Sequence, residues 1–145
     1  MIRKTVAALL ALAASASFNL AGAQALQLIK DDEAKLPSQG AKPPSRAITR
    51  GPSVKLASPE AVSGNFPFKI EFTPRGESKI DPNSVKVEYL KGNGVDLTDR
   101  LKPGIKPGGI EIPAAAAPAG QHPIRVSVRD SEGRQGTAEF NLTVK

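Results

Sequence analysis

The last 26 residues, Gly120 to Lys145, constrain the chain most, because their apolar and polar side chains alternate with a strict two-residue period. Ile124, Val126 and Val128 alternate with Arg125, Ser127 and Arg129 on one arm. Ala138, Phe140, Leu142 and Val144 alternate with Glu139, Asn141, Thr143 and Lys145 on the other. Successive strand side chains point to opposite faces, so each arm has one apolar and one wet side. Asp130-Ser131-Glu132-Gly133 lies between them. Asp suits the first position of a type I turn, and Gly takes the positive φ that returns the chain. The pattern predicts a β-hairpin with one buried face.

The same period recurs upstream. Val54-Lys55-Leu56 is a first short strand, and Phe66, Phe68, Ile70 and Phe72 alternate with Pro67, Lys69, Glu71 and Thr73 in a second. Pro67 suits an edge or a strand start. Ser84 to Leu90 is a third, followed by Gly92-Asn93-Gly94, a strong hairpin signal. Val95 and Leu97 begin a fourth strand, Thr98 to Gly109 reads as loop, Ile110-Glu111-Ile112 as a short fifth strand, and Pro113 to Gln121 as a proline-broken connection. About seven short strands with frequent turns predict an all-β antiparallel sandwich, with a small barrel as the alternative. Phe68, Ile70, Phe72, Val85, Val87, Tyr89, Val126, Val128, Phe140 and Leu142 are expected to share one interior.

Residues 1–25 read as a secretory signal peptide. Arg3 and Lys4 precede an almost unbroken small-apolar run from Val6 to Ala16, and Ala21-Gly22-Ala23 and Ala23-Gln24-Ala25 both fit a small-x-small cleavage site. The apolar run is too short to span a bilayer. Residues 26–51 lack a sustained period and carry Pro37, Pro43 and Pro44, so a flexible leader is expected, with a marginal helix between Leu28 and Leu36 as the only local structure. The sandwich is then 52–145. There is no Cys, so the fold must rest on its hydrophobic core, and neither a disulfide nor a lipid-modified cysteine is expected. The expected location is periplasmic or secreted, without a membrane anchor.

Taking Arg3 and Lys4 from the 20 basic residues leaves 18 against 14 acidic ones, a net charge of +4. The cations are mostly dispersed singly, and Tyr89 and five Phe are the only aromatics, which speaks against nucleic-acid binding.

Three segments carry a resemblance. Ile80-Asp81-Pro82-Asn83-Ser84-Val85-Lys86-Val87, Val95-Asp96-Leu97-Thr98, and Ala119 through Arg134 with its Asp-x-x-Gly-Arg turn together resemble bacterial immunoglobulin-like domains of the Big or cadherin-like kind. The resemblance implies an immunoglobulin-like sandwich over 52–145 that serves as a spacer, adhesin segment or binding accessory. It lacks the Trp and Cys pair of antibody-type domains, so Tyr89 would fill the space of the Trp, and it lacks cadherin calcium linkers.

No catalytic site is expected. His122 is the only His, and with no Cys and Met1 inside the signal, no metal site or cofactor is expected either. Asp81, Asp96, Asp99, Asp130 and Glu132 supply oxygen ligands that could meet around calcium, or could simply cap turns. In such a sandwich the loops 74–83 and 130–136 emerge at one end, which makes Arg75, Lys79, Asp81, Asp130, Glu132 and Arg134 the candidate binding residues. The expected function is a non-catalytic interaction or structural module of the cell envelope, meeting another envelope protein or polymer. The alternative is an accessory protein holding a small ligand, an envelope polymer or a calcium ion at that loop end.

Overall fold

A computed structural model describes residues 24–39 and 50–145. The expected signal peptide, apart from its last two residues, and the middle of the expected leader lie outside the described residues. Ten strands are described, four of them only two residues long: β1 (Leu26–Gln27), β2 (Ser53–Leu56), β3 (Ala61–Val62), β4 (Phe66–Thr73), β5 (Ile80–Tyr89), β6 (Val95–Asp96), β7 (Ile105–Lys106), β8 (Gly109–Ala116), β9 (Gly120–Asp130) and β10 (Gln135–Val144). Two one-turn helices, α1 (Asp31–Ala34) and α2 (Thr98–Leu101), interrupt them. The chain folds as an all-β sandwich. One sheet has the order β1-β8-β4-β2, with β7 also on β8, and the other has the order β3-β10-β9-β5-β6. Both are mixed, because β1 joins β8 and β3 joins β10 in parallel while the remaining pairs are antiparallel.

The alternation read from the sequence sets which faces meet. Along β4 every second residue from Phe66 is buried, and along β9 every second residue from His122 is buried. Phe68, Ile70 and Ile110 of one sheet and Val87, Tyr89, Ile124, Val126, Val128 and Leu142 of the other are at most 1% exposed. Burial of each such side chain is worth roughly 1.5–3 kcal/mol. The expected hairpin is present: Gln135 pairs with Arg129, Gly133 has φ 76°, and the Gly133 N–H donates to the Asp130 carbonyl at 2.9 Å.

Phe140 differs from expectation. It is half-buried, because β3 covers β10 only at Thr143 and Val144 and leaves Phe140 beside an open edge. The stretch from Thr98 to Gly109, where a loop is expected, contains α2 and β7. Pro113 does not end a strand either: β8 runs on to Ala116, with a register shift against β4 between Phe66 and Phe68. Pro67 and Pro113 both fall at that irregularity, where a missing N–H interrupts no regular ladder. In the Gly92-Asn93-Gly94 turn only the glycines take positive φ (61° and 85°), so the hairpin is wider than a two-residue Asn-Gly turn.

The largest difference lies at residues 26–39, which are not a loose leader. Leu26 and Gln27 pair with Ala115 and Ala116, the Leu28 N–H donates to the Ala116 carbonyl at 2.9 Å, and Leu28 and Ile29 are fully buried. The segment then crosses to the other sheet. Glu33 in α1 meets the Arg100 guanidinium in a two-pronged ion pair, and Arg100 also donates to the Leu28 carbonyl at 3.0 Å. Lys91 donates to the Ala34 carbonyl (2.9 Å), Gly92 N–H to the Pro37 carbonyl (2.8 Å), and Ser38 bridges Lys91. Residues 26–39 therefore pack as part of the sandwich.

Leu28→Ala should destabilise the protein by about 2–5 kcal/mol, the range for a buried Leu left as a cavity. Gln27→Ala, exposed on β1 just before it, should stay within about 0.5 kcal/mol. Urea midpoints of the two variants check this; equal midpoints would mean that the segment is not part of the core.

Candidate functional site

Pairing of the start of β5 with the end of β9 brings the two expected loops together: Ile80 faces Asp130 and Asp81 faces Arg129. The Ser131 N–H donates to the Lys79 carbonyl at 2.7 Å, the Lys79 N–H to Ser131 Oγ at 3.1 Å, and Arg134 Nη2 to the Arg75 carbonyl at 3.3 Å. All six candidate residues lie at this end, but they do different work. The Asp130 carboxylate is fully buried. Its Oδ1 accepts the N–H groups of Glu132 (3.0 Å) and Arg134 (2.9 Å), and its Oδ2 accepts Arg134 Nε (2.9 Å). Burial alone would raise its pKa; the Arg134 and Glu132 hydrogen bonds win and hold it below the ordinary carboxylate value. Asp130 is thus the internal organiser of the turn, not a free ligand. Arg134 is shared between Asp130 and Glu132, the latter at 2.6 Å. Asp81 turns Oδ1 to the Asn83 N–H at 2.9 Å. Arg75 and Lys79 are exposed, with no carboxylate within 4.0 Å among the described residues.

A second surface is the outer face of β5, β9 and β10, where a shallow cavity of about 530 Å³ opens to solvent. Register arranges its side chains in rows across three strands. Glu88, Arg125 and Glu139 form one row, Lys86, Ser127 and Thr137 the next, and Arg129 and Gln135 the third, with Ser84 beside them. Arg125 meets Glu139 at 2.7 Å and Glu88 at 3.9 Å, and Lys86 meets Glu88 at 2.7 Å. The alternation had marked these positions as wet, one strand at a time. Their convergence depends on strand order and register, which an alternating pattern does not specify.

His122 is fully buried and points inward from β9. Its Nε2 donates to the Pro118 carbonyl at 2.7 Å, so Nδ1 is left to accept the Tyr89 hydroxyl proton at 2.9 Å. Burial lowers the His122 pKa, with the Lys91 ammonium adding to the effect and the Pro118 contact opposing it. Burial, helped by the Glu33 charge, pushes the Tyr89 phenol up to about 12. Both groups are therefore neutral partners in a core hydrogen bond at physiological pH.

Among the described residues no three His, Asp or Glu side chains converge as metal ligands. Asp96 accepts the Thr98 N–H at 2.8 Å, and Asp99 pairs with Lys102 at 2.6 Å. No described helix is long and apolar enough to cross a membrane. No protein-family model matches the chain, and no curated protein matches it.

Two pH effects follow. His122 has a folded pKa below its ordinary 6.5, so folding favours the neutral ring. That contribution is complete above about pH 6.5 and is lost as pH falls through the folded-state value. The urea midpoint should drop between pH 7.5 and pH 5.5, and His122→Gln should flatten this change; an equal drop in the variant would place the titration elsewhere. Asp130 has a folded pKa below 3.8, so its contribution is present above that value and lost on further acidification. Asp130→Asn should lower stability at pH 7 and shrink the loss between pH 5 and pH 2.5.

Proposed function

We propose that the chain is an exported, non-catalytic interaction module of the bacterial cell envelope, built as an immunoglobulin-like sandwich. The strand orders support the architectural part. β2, β4 and β8 face β10, β9, β5 and β6, as the A, B and E strands face G, F, C and C′ in that fold. Tyr89 on β5, the largest fully buried side chain, packs with His122 on β9 where antibody-type domains place a Trp. The side of β8 away from β4, where the usual fourth strand lies, is shared by β7, antiparallel at Gly109 and Ile110, and by β1, parallel at Ala115 and Ala116. The export part rests on the sequence of residues 1–25.

The observation that carries the functional reading is the polar outer face of β5, β9 and β10. It is a shallow concavity on continuous strands, lined by charged and hydrogen-bonding side chains held in place by register and ion pairs. Such a surface is suited to meeting another envelope protein or polymer. The exposed cations Arg75 and Lys79 extend the same kind of surface to the adjoining loop end. A calcium ion there has less support, because Asp81 and Asp130 already direct oxygens to their own backbone or to Arg134.

Photo-crosslinking groups placed at Thr137 and Arg75 in the native envelope should give discrete adducts absent from a probe at Lys55, which is exposed on the other sheet. Indistinguishable patterns from all three positions would sink the reading, as would hydrolysis of an envelope polymer by the purified protein.

A further inference from the structure

The outer face is uneven in charge. In its first two rows two cations, Lys86 and Arg125, are matched by two carboxylates, Glu88 and Glu139, all within ion-pair distance. In the third row Arg129 stands alone. It is exposed, and no carboxylate lies within 4.0 Å of it among the described residues. Its register partner Asp81 points its oxygen at the Asn83 N–H instead. Around Arg129 the lining consists of hydroxyls and an amide: Ser84, Ser127, Thr137 and Gln135. The Thr137 and Ser127 hydroxyls lie 3.2 Å apart, and Gln135 donates to Thr137 at 3.3 Å. Three strands and four residues of strand length give the patch roughly 10 by 13 Å.

From this we infer that the outer face is a binding site for an acidic polysaccharide, with Arg129 taking a sugar-borne anionic group and Ser127, Thr137 and Gln135 the neighbouring sugar hydroxyls. Hydroxyl and amide side chains both donate and accept, which matches the mixed donor and acceptor character of a sugar ring. Arg offers a planar fork that grips a carboxylate or sulfate in two places. A peptide ligand would instead call for an unpaired strand edge or apolar pockets. The hydroxyl and amide groups here stand on the face of the sheet around β9, which is paired on both sides, rather than along the open edge of β10, and the only apolar lining residue, Val128, is buried. With no aromatic platform, a single contact is weak, roughly millimolar, and retention on a polymer comes from repeated engagement along it. The assignment rests on the non-catalytic binding reading and narrows it to one ligand class.

The test is an NMR titration of the full chain after export with a short oligogalacturonate, and with an uncharged oligosaccharide of the same length. Amide shifts should appear at Ser127, Arg129, Gln135 and Thr137 with the acidic probe and be far smaller with the neutral one. Arg129→Gln, an exposed substitution whose dispersed spectrum verifies folding, should weaken binding about tenfold or more. Lys55→Gln, exposed on the other sheet, should leave it unchanged. Equal binding of both sugars, or undiminished binding by Arg129→Gln, overturns the ligand class. Binding abolished by Arg75→Gln with Lys79→Gln but untouched by Arg129→Gln moves the site to the loop end, which overturns this site while leaving the interaction-module reading intact. A protein cross-linked through Thr137 in the envelope, with no response to the acidic sugar, does the same for the ligand.

Discussion

The structure depends on how the side of the sandwich between β8 and β5 is closed. Two sheets packed face to face leave apolar side chains open to water along their flanks, and here residues 26–39 cover one flank. Leu28 and Ile29 enter the core beside β8, and the Glu33–Arg100 pair then fastens the segment to α2 beyond the other sheet. The pair is mostly buried, with side chains 16% and 23% exposed, and Arg100 also satisfies the Leu28 carbonyl. Arg100 lowers the pKa of Glu33, so the carboxylate stays ionised well into the acid range. Removing one partner would leave the other half-buried and uncompensated, which is more damaging than never having had the pair.

Beneath this closure lies a polar element in an otherwise apolar core. Tyr89 and His122 join β5 to β9 through one hydrogen bond, and the Lys91 ammonium lies 5.9 Å from the Tyr89 ring while reaching the Ala34 carbonyl. The N-terminal segment, the turn after β5 and the His–Tyr pair are thus mechanically continuous. At the opposite end Asp130 repeats the strategy, burying a carboxylate and satisfying it fully within its own turn. No buried side-chain nitrogen or oxygen among the described residues lacks a partner. The groups with most chemical potential, the single His and a buried Asp, therefore serve architecture. The outer face of β5, β9 and β10, by contrast, presents polar side chains ordered by strand pairing and open to solvent.

That division shapes the site. Of the residues singled out from turns and loops, Asp130, Glu132 and Arg134 are absorbed in one another, whereas Arg75 and Lys79 have no carboxylate within 4.0 Å among the described residues. Glu88 and Glu139 are balanced by Arg125 and Lys86, two carboxylates against two cations, which leaves Arg129 as the distinctive cation of the outer face. Each of these positions was visible as a polar residue on an alternating strand. None could be grouped with its neighbours until β5 was placed against β9 and β9 against β10.

By itself the sequence determined the sandwich class, the inward register of β4, β5 and β9, and the Asp130–Gly133 turn, because period-two alternation and turn chemistry are local and repeat over enough residues to be read. It also marked Tyr89 as a core residue. Tertiary structure alone decided the role of Leu26 to Ile29. A two-residue strand has no period to detect, and its burial comes from a partner, Ala115–Ala116, almost ninety positions away. It likewise decided that β8 continues through Pro113, since the missing N–H matters only relative to where β4 shifts register. The fate of His122 was settled in the same way: a ring at a strand entry is a surface group or a core group according to whether a hydroxyl and a carbonyl from elsewhere in the fold arrive to satisfy both nitrogens, and here Tyr89 and Pro118 do.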